Sequence, residues 1–170
     1  MRILLSMILF LFTAFQSANA GGIPGALAGI LSTLNQEIQG KVIRVLDGDT
    51  IEVLQDKKPI RVRLANIDAP EKKQAFGHWS TNQLKALLAG QSVTVSYTQT
   101  DRYGRIIGRV FTMNGTEASR FMVQSGAAWV YERYNADESL PALQREVQEQ
   151  KRGLWADSNP VPPWEWRHKN

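Results

Sequence analysis

Two short stretches carry oxygen acids close together. RVLDGDTIEV, residues 44 to 53, sets Asp47 and Asp49 on either side of a glycine, and NIDAPE, residues 66 to 71, holds Asp68 and Glu71. Asp-Gly is a strong turn signal between apolar runs, so DGD reads first as a corner. Its second reading is a pair of oxygen ligands for a metal. Carboxylates gathered without counter-charge repel one another, so such a group asks for a cation or for nearby arginines. A hard divalent ion suits it, because calcium accepts about six to eight oxygens, backbone carbonyls and waters among them. Zinc is disfavoured: there is no cysteine, and the two histidines, His78 and His168, are far apart and read as surface or packing residues.

Two arginines carry a matching choice. Arg63 can pair across strands with Glu52, or grip a phosphate through two parallel hydrogen bonds. Arg105, just after TDRYG, is either a solvated turn residue or a second phosphate clamp. Taken with the acids they form a set: metal, carboxylate base and arginines are what phosphodiester hydrolysis needs.

The elements that must position these residues begin at Lys41. KVIRVL and TIEVLQ read as strands around the Asp-Gly-Asp corner, DKKP as a turn, and IRVRLANI as a third strand whose Ile60, Val62 and Leu64 alternate with Arg61 and Arg63. Pairing the second and third strands around DKKP places Asp49 opposite Asn66, with Asp68 as a diagonal neighbour, and Glu52 opposite Arg63. Ile67 breaks the alternation, so the chain leaves the ladder there and turns at Ala69-Pro70. Three carboxylates then converge at one end of one hairpin. HWSTNQLKALLAG has helical spacing and a C-cap at Gly90. QSVTVSYTQT and RIIGRVFT are further strands. Helices are expected over about Glu117 to Ser125 and Leu140 to Lys151. The terminal NPVPPWEWRHKN cannot be a long helix. Five short strands with about three helices predict an α+β fold, a β-barrel of OB type with helices against it; a split αβ sandwich is the competing layout.

The chain has 170 residues, enough for one domain with a real core. Residues 1–20 do not belong to it. A positive start at Arg2, the apolar run ILLSMILFLF and the small-x-small ANA read as a secretory signal peptide cut after about Ala20, with an uncleaved anchor as the alternative. The mature chain is then secreted or periplasmic, has no stable membrane association, and acts as a monomer. Residues 21–40, Gly-rich and then weakly amphipathic, read as a tail or short helix. Without Arg2, 19 basic residues face 16 acidic ones, a net charge of +3 that modestly favours a polyanionic partner.

VIRVLDGDTIEV, VRLANIDAPE and TDRYGRIIGRVF, in this order and spacing, resemble the thermonuclease, or staphylococcal nuclease-like, family over about residues 41 to 155. The resemblance implies an OB-fold domain over 41–157, followed by a Pro/Trp-rich segment, 158–170. It implies calcium-dependent hydrolysis of DNA and/or RNA. Matched position by position, Asp49, Asp68 and the Ala69 backbone carbonyl bind calcium, Glu71 is the general base, and Arg63 and Arg105 neutralise the phosphate. Asp47 is a turn-forming or supporting residue. Ala69 stands where the staphylococcal pattern has threonine, which costs little if the ligand is the carbonyl, and the KKQAF stretch is shorter than the pattern's mobile loop. Tyr103, Tyr131 and Tyr134 are candidates to stack a base, although burial is the commoner fate of any one tyrosine. Trp155, Trp164 and Trp166 are expected to pack the C-terminal segment on the barrel. The alternative function is a non-catalytic nucleic-acid or protein binding module on the same barrel, in which the carboxylates and arginines are expected to be lost.

Overall fold

The computed structural model describes residues 35–169. The expected signal peptide and most of the expected tail therefore lie outside the described residues. Five strands close a barrel in the order β1-β2-β3-β6-β5: β1 (Gln36–Val45), β2 (Thr50–Gln55), β3 (Lys58–Leu64), β5 (Ser92–Thr100) and β6 (Ile106–Thr112). All neighbours are antiparallel except β3 and β6, which run parallel. This is the α+β barrel of OB type that the strand count predicts. A two-stranded ladder, β4 (Ile67–Asp68) with β7 (Trp129–Val130), lies outside it. Among the described residues four α-helices complete the fold: α1 (Gly77–Leu88), α2 (Ala118–Gln124), α3 (Leu140–Glu149) and α4 (Pro163–Lys169). Among the described residues no helix is long and apolar enough to cross a membrane.

Period-two alternation builds the barrel interior. Ile51 and Val53, Val62 and Leu64, and Val93 and Val95 point inward and are fully or almost fully buried, while Glu52, Arg63 and Thr94 between them are only partly buried. Leu84 and Leu88 of α1, with Met122 and Val123 of α2, continue the same core outside the barrel. A bulge at Ile43 shifts the β1–β2 register and leaves that side chain half exposed. Gly90, with φ +73°, ends α1 as the C-cap signal requires.

Three expectations are corrected. The tail was expected to run to residue 40, but β1 begins at Gln36 and pairs with β5 from there. The β2–β3 turn is tighter than DKKP implies: Asp56 and Lys57 both take positive φ, and Lys58 and Pro59 already belong to β3. Such a two-residue hairpin loop moves the register by two residues, so Glu52 faces Arg61, and Arg63 faces Thr50. The chain also leaves the barrel earlier than Ile67. Asn66 turns it with φ +71°, and Ile67–Asp68 re-enters a ladder with β7 instead. Asn66 holds both sides of this crossing: its carbonyl accepts the Tyr131 N–H and its side chain accepts the Ala136 N–H.

Candidate active site

The Asp47-Gly48-Asp49 corner is fixed by its own residues. The Asp47 carboxylate accepts the Asp49 N–H at 3.0 Å, a short Asx turn, which makes Asp47 the turn-forming residue expected. Gly48 is required for packing: a Cβ there would fall on the Ser80 Oγ of α1 and on the Ala69 Cβ. The corner thereby presses against the loop that follows β4. Asp49, 7% exposed, takes the Ala69 N–H on Oδ2 at 2.8 Å and the Thr50 hydroxyl on Oδ1 at 2.9 Å. One aspartate thus ties the first acidic stretch to the second, 20 residues on.

Arg63 closes the junction. With Val62 and Leu64 buried in the barrel, its side chain leaves on the outer face. Its Nη2 lies 3.1 Å from Asp68 Oδ1 and 3.6 Å from Asp49 Oδ2, while Nη1 donates to the carbonyls of Ile67 and Leu64. Burial alone would lower the Arg63 pKa; the charges of Asp49 and Asp68 outweigh it and raise it, keeping the guanidinium charged. The Glu52 pairing considered for Arg63 does not form, because the two-residue register shift gives Glu52 to Arg61 and Arg44.

The expected convergence of three carboxylates is replaced by two plus a bridge. Asp49 and Asp68 meet on Arg63, and Glu71 is joined to them by a residue the sequence reading did not assign. Arg167 of α4 holds both Asp68 oxygens, at 2.7 and 3.2 Å, and donates to Glu71 Oε1 at 2.8 Å. Hydrogen bonding to Asp68 raises the Arg167 pKa despite partial burial. Two signals were available in PPWEWR: prolines where a helix starts, and Trp164 three residues before Arg167, hence on one helix face.

Negative charge still exceeds positive here. Asp49, Asp68 and Glu71 face Arg63 and Arg167, and Asp47 beside them has its pKa pushed up to about 7, first by burial and then by the Asp49 charge. Among the described residues no group of three or more His, Cys, Asp or Glu side chains is set to hold a metal. The ligand atoms that do meet are carboxylate oxygens of Asp49 and Asp68, and the Ala69 backbone is tied to them through its N–H on Asp49. A hard cation completing its shell with water fits such a set, and zinc does not.

Arg105 is not brought into contact with this cluster. Its Nε donates to Asp101 Oδ2 at 2.7 Å, and its guanidinium lies 5.6 Å from the Tyr103 ring centre. It precedes Ile106, the parallel partner of Val62, which Arg63 follows. Arg105 thus stands just before the strand that pairs with the one carrying Arg63. Of the three tyrosines, Tyr103 and Tyr134 are exposed, against the expectation of burial, and Tyr131 stacks on Trp164 with centroids 5.4 Å apart and planes 7° from parallel. Trp155 is buried against Trp129 and Trp164 meets Trp129 edge-on, so these two pack the C-terminal segment on β7, outside the barrel, and not on the barrel as expected. His78 and His168 are exposed, and His168 contacts the Trp164 carbonyl.

A closed five-stranded barrel with acids and arginines gathered outside one hairpin defines a narrow class of protein. The family model "Staphylococcal nuclease homologue" matches residues 61–157. The chain is 61% identical over 133 residues to an "Uncharacterized endonuclease" of Escherichia coli, covering 78% of this chain and 87% of that one. It is 42% identical over 141 residues to the "Micrococcal nuclease" of Shigella flexneri, covering 77% and 81%. With a plant protein, "Staphylococcal-like nuclease CAN1" of Arabidopsis thaliana, it shares 35% identity over 134 residues, 79% of this chain and 41% of that one. The chain belongs to the staphylococcal nuclease family and is an enzyme of the nuclease class.

Proposed function

We propose that the protein is an exported, calcium-dependent nuclease that hydrolyses phosphodiester bonds of DNA and/or RNA as a monomer. The observation that carries this reading is the junction of Asp49 and Asp68 on Arg63, with Glu71 one link away. Asp49, Asp68 and the Ala69 carbonyl hold calcium; once bound, the ion supplies Lewis-acid polarisation of a phosphoryl oxygen. Glu71, about 38% exposed, stands where water can reach it and takes the proton of the attacking water as general base. Arg63 neutralises charge as the phosphorus becomes five-coordinate. Arg105 does the same from the turn that precedes the neighbouring strand, where a phosphate competes for it with its present partner Asp101. Export rests on the residue pattern of positions 1–20.

The test uses the purified chain beginning at Gly21, incubated with single- and double-stranded DNA and RNA, with calcium or with excess chelator. Cleavage in calcium and none in chelator is expected. Equal cleavage in both overturns the metal assignment, and binding without cleavage hands the case to a non-catalytic module. Mass spectrometry of the exported protein should show an N-terminus near Gly21; an intact Met1–Ala20 segment would favour an anchor.

A further inference from the structure

Arg167 stands outside the three motifs that carry the resemblance, yet it makes the most direct contact between Asp68 and Glu71. Its place is built by several independent contacts. Trp164, one helical turn earlier, stacks on Tyr131 and meets Trp129 edge-on, both from the segment that carries β7. β7 is in turn the ladder partner of Asp68. Gln74 ties the Glu71 loop to the same C-terminal segment: its amide donates to the Val161 carbonyl at 2.6 Å and accepts the Glu71 N–H at 3.1 Å. The Gln74 N–H closes the loop on the Glu71 carbonyl. The Glu71 backbone is thereby fixed, while its half-exposed side chain has three rotatable bonds and takes its direction from Arg167.

We propose that Arg167 is a positioning residue of the nuclease centre: one guanidinium spans Asp68 and Glu71 and holds the general base in register with the metal-binding carboxylate. This rests on the nuclease reading above and extends the active site to the C-terminal helix. The planar fork is what the task requires, since it meets two carboxylates at fixed angles, and a lysine ammonium offers a point charge. Partners that orient a metal ligand or base typically contribute about 10- to 100-fold in activity or metal affinity. Here the loss should fall on kcat, because Arg167 orients a group used in the transition state.

The experiment compares wild type, Arg167→Gln, Arg167→Lys, Trp164→Ala and the Trp164→Ala/Arg167→Gln double variant. Steady-state cleavage in calcium, calorimetric calcium affinity without substrate, and thermal melting are measured for each. Arg167→Gln should lose about 10- to 100-fold in kcat, with KM and Tm unchanged and calcium binding no weaker, and Arg167→Lys should recover part of the loss. Trp164→Ala should slow turnover too, and the double variant should be no slower than Arg167→Gln, because both changes break one chain of contacts. Wild-type turnover by Arg167→Gln overturns the proposal and leaves the nuclease reading standing. So does tighter calcium binding with undiminished turnover, which would make Arg167 a competitor of the ion for Asp68. A wild-type chain that does not cleave in calcium overturns the nuclease reading and this one with it.

Discussion

Glu52 and Asp68 each sit between two arginines and each is mostly shielded, at 12% and 1% exposure, but the arginines around them differ. Glu52 pairs with Arg44 at 2.9 Å and Arg61 at 2.8 Å, and these arginines keep 60% and 47% of their side chains in solvent. All three residues are direct cross-strand neighbours on β1, β2 and β3. Asp68 is 1% exposed, and its arginines come from β3 and, 99 residues away, from α4. The surface triad has one acid for two arginines and needs nothing more. Around Asp68 the count reverses, with Asp49 and Glu71 adding charge that two guanidiniums do not balance. A group of charges becomes a candidate site when it is buried, drawn from separate elements and left with a surplus. Buried ion pairs are poor evidence for stability in any case, since desolvation offsets much of their attraction.

The largest expected consequence of this contrast lies at Glu71. Glu71→Gln keeps the shape and removes the proposed base, so kcat should fall by about 10²–10⁴. Nucleic-acid affinity in calcium and Tm should hold, because the residue stands on an exposed turn. An unchanged kcat would reject the general-base role. Next come the arginines: Arg63→Lys and Arg105→Lys should each cost about 10²–10³ in kcat, the usual loss for one transition-state contact. If Arg105→Lys keeps full turnover while Arg63→Lys does not, Arg105 serves only its Asp101 turn. The smallest effect belongs to the surface triad. Glu52→Gln should leave turnover unchanged and shift stability by no more than about 1 kcal/mol, as exposed ion pairs do. A large loss of activity there would erase the distinction between the two triads.

Much of this was readable along the chain. The barrel was legible because alternation at Ile60, Val62 and Leu64 and in QSVTVSYTQT reports which face is buried. Asp49, Asp68 and Arg63 were legible because chemistry and spacing agreed, and the structure brings them together. The register was not. DKKP offers turn residues, but only the backbone shows that Asp56 and Lys57 alone make the bend, and those two positions decide whether Glu52 takes Arg61 or Arg63. Arg167 was missed for a different reason: its partners are far away in sequence, and the prolines of PPWEWR argue against a long helix without excluding a seven-residue one.

The comparison comes to its sharpest point in calcium binding, measured by calorimetry on the folded chain without nucleic acid. Wild type and Glu52→Gln should bind the ion alike, and Asp68→Ala and Asp49→Ala should each bind it much more weakly, since either change removes one of the few proposed protein ligands. Equal calcium affinity in wild type and Asp68→Ala would contradict the account, because the group around Asp68 would then be a structural ion pair of the same kind as the one around Glu52.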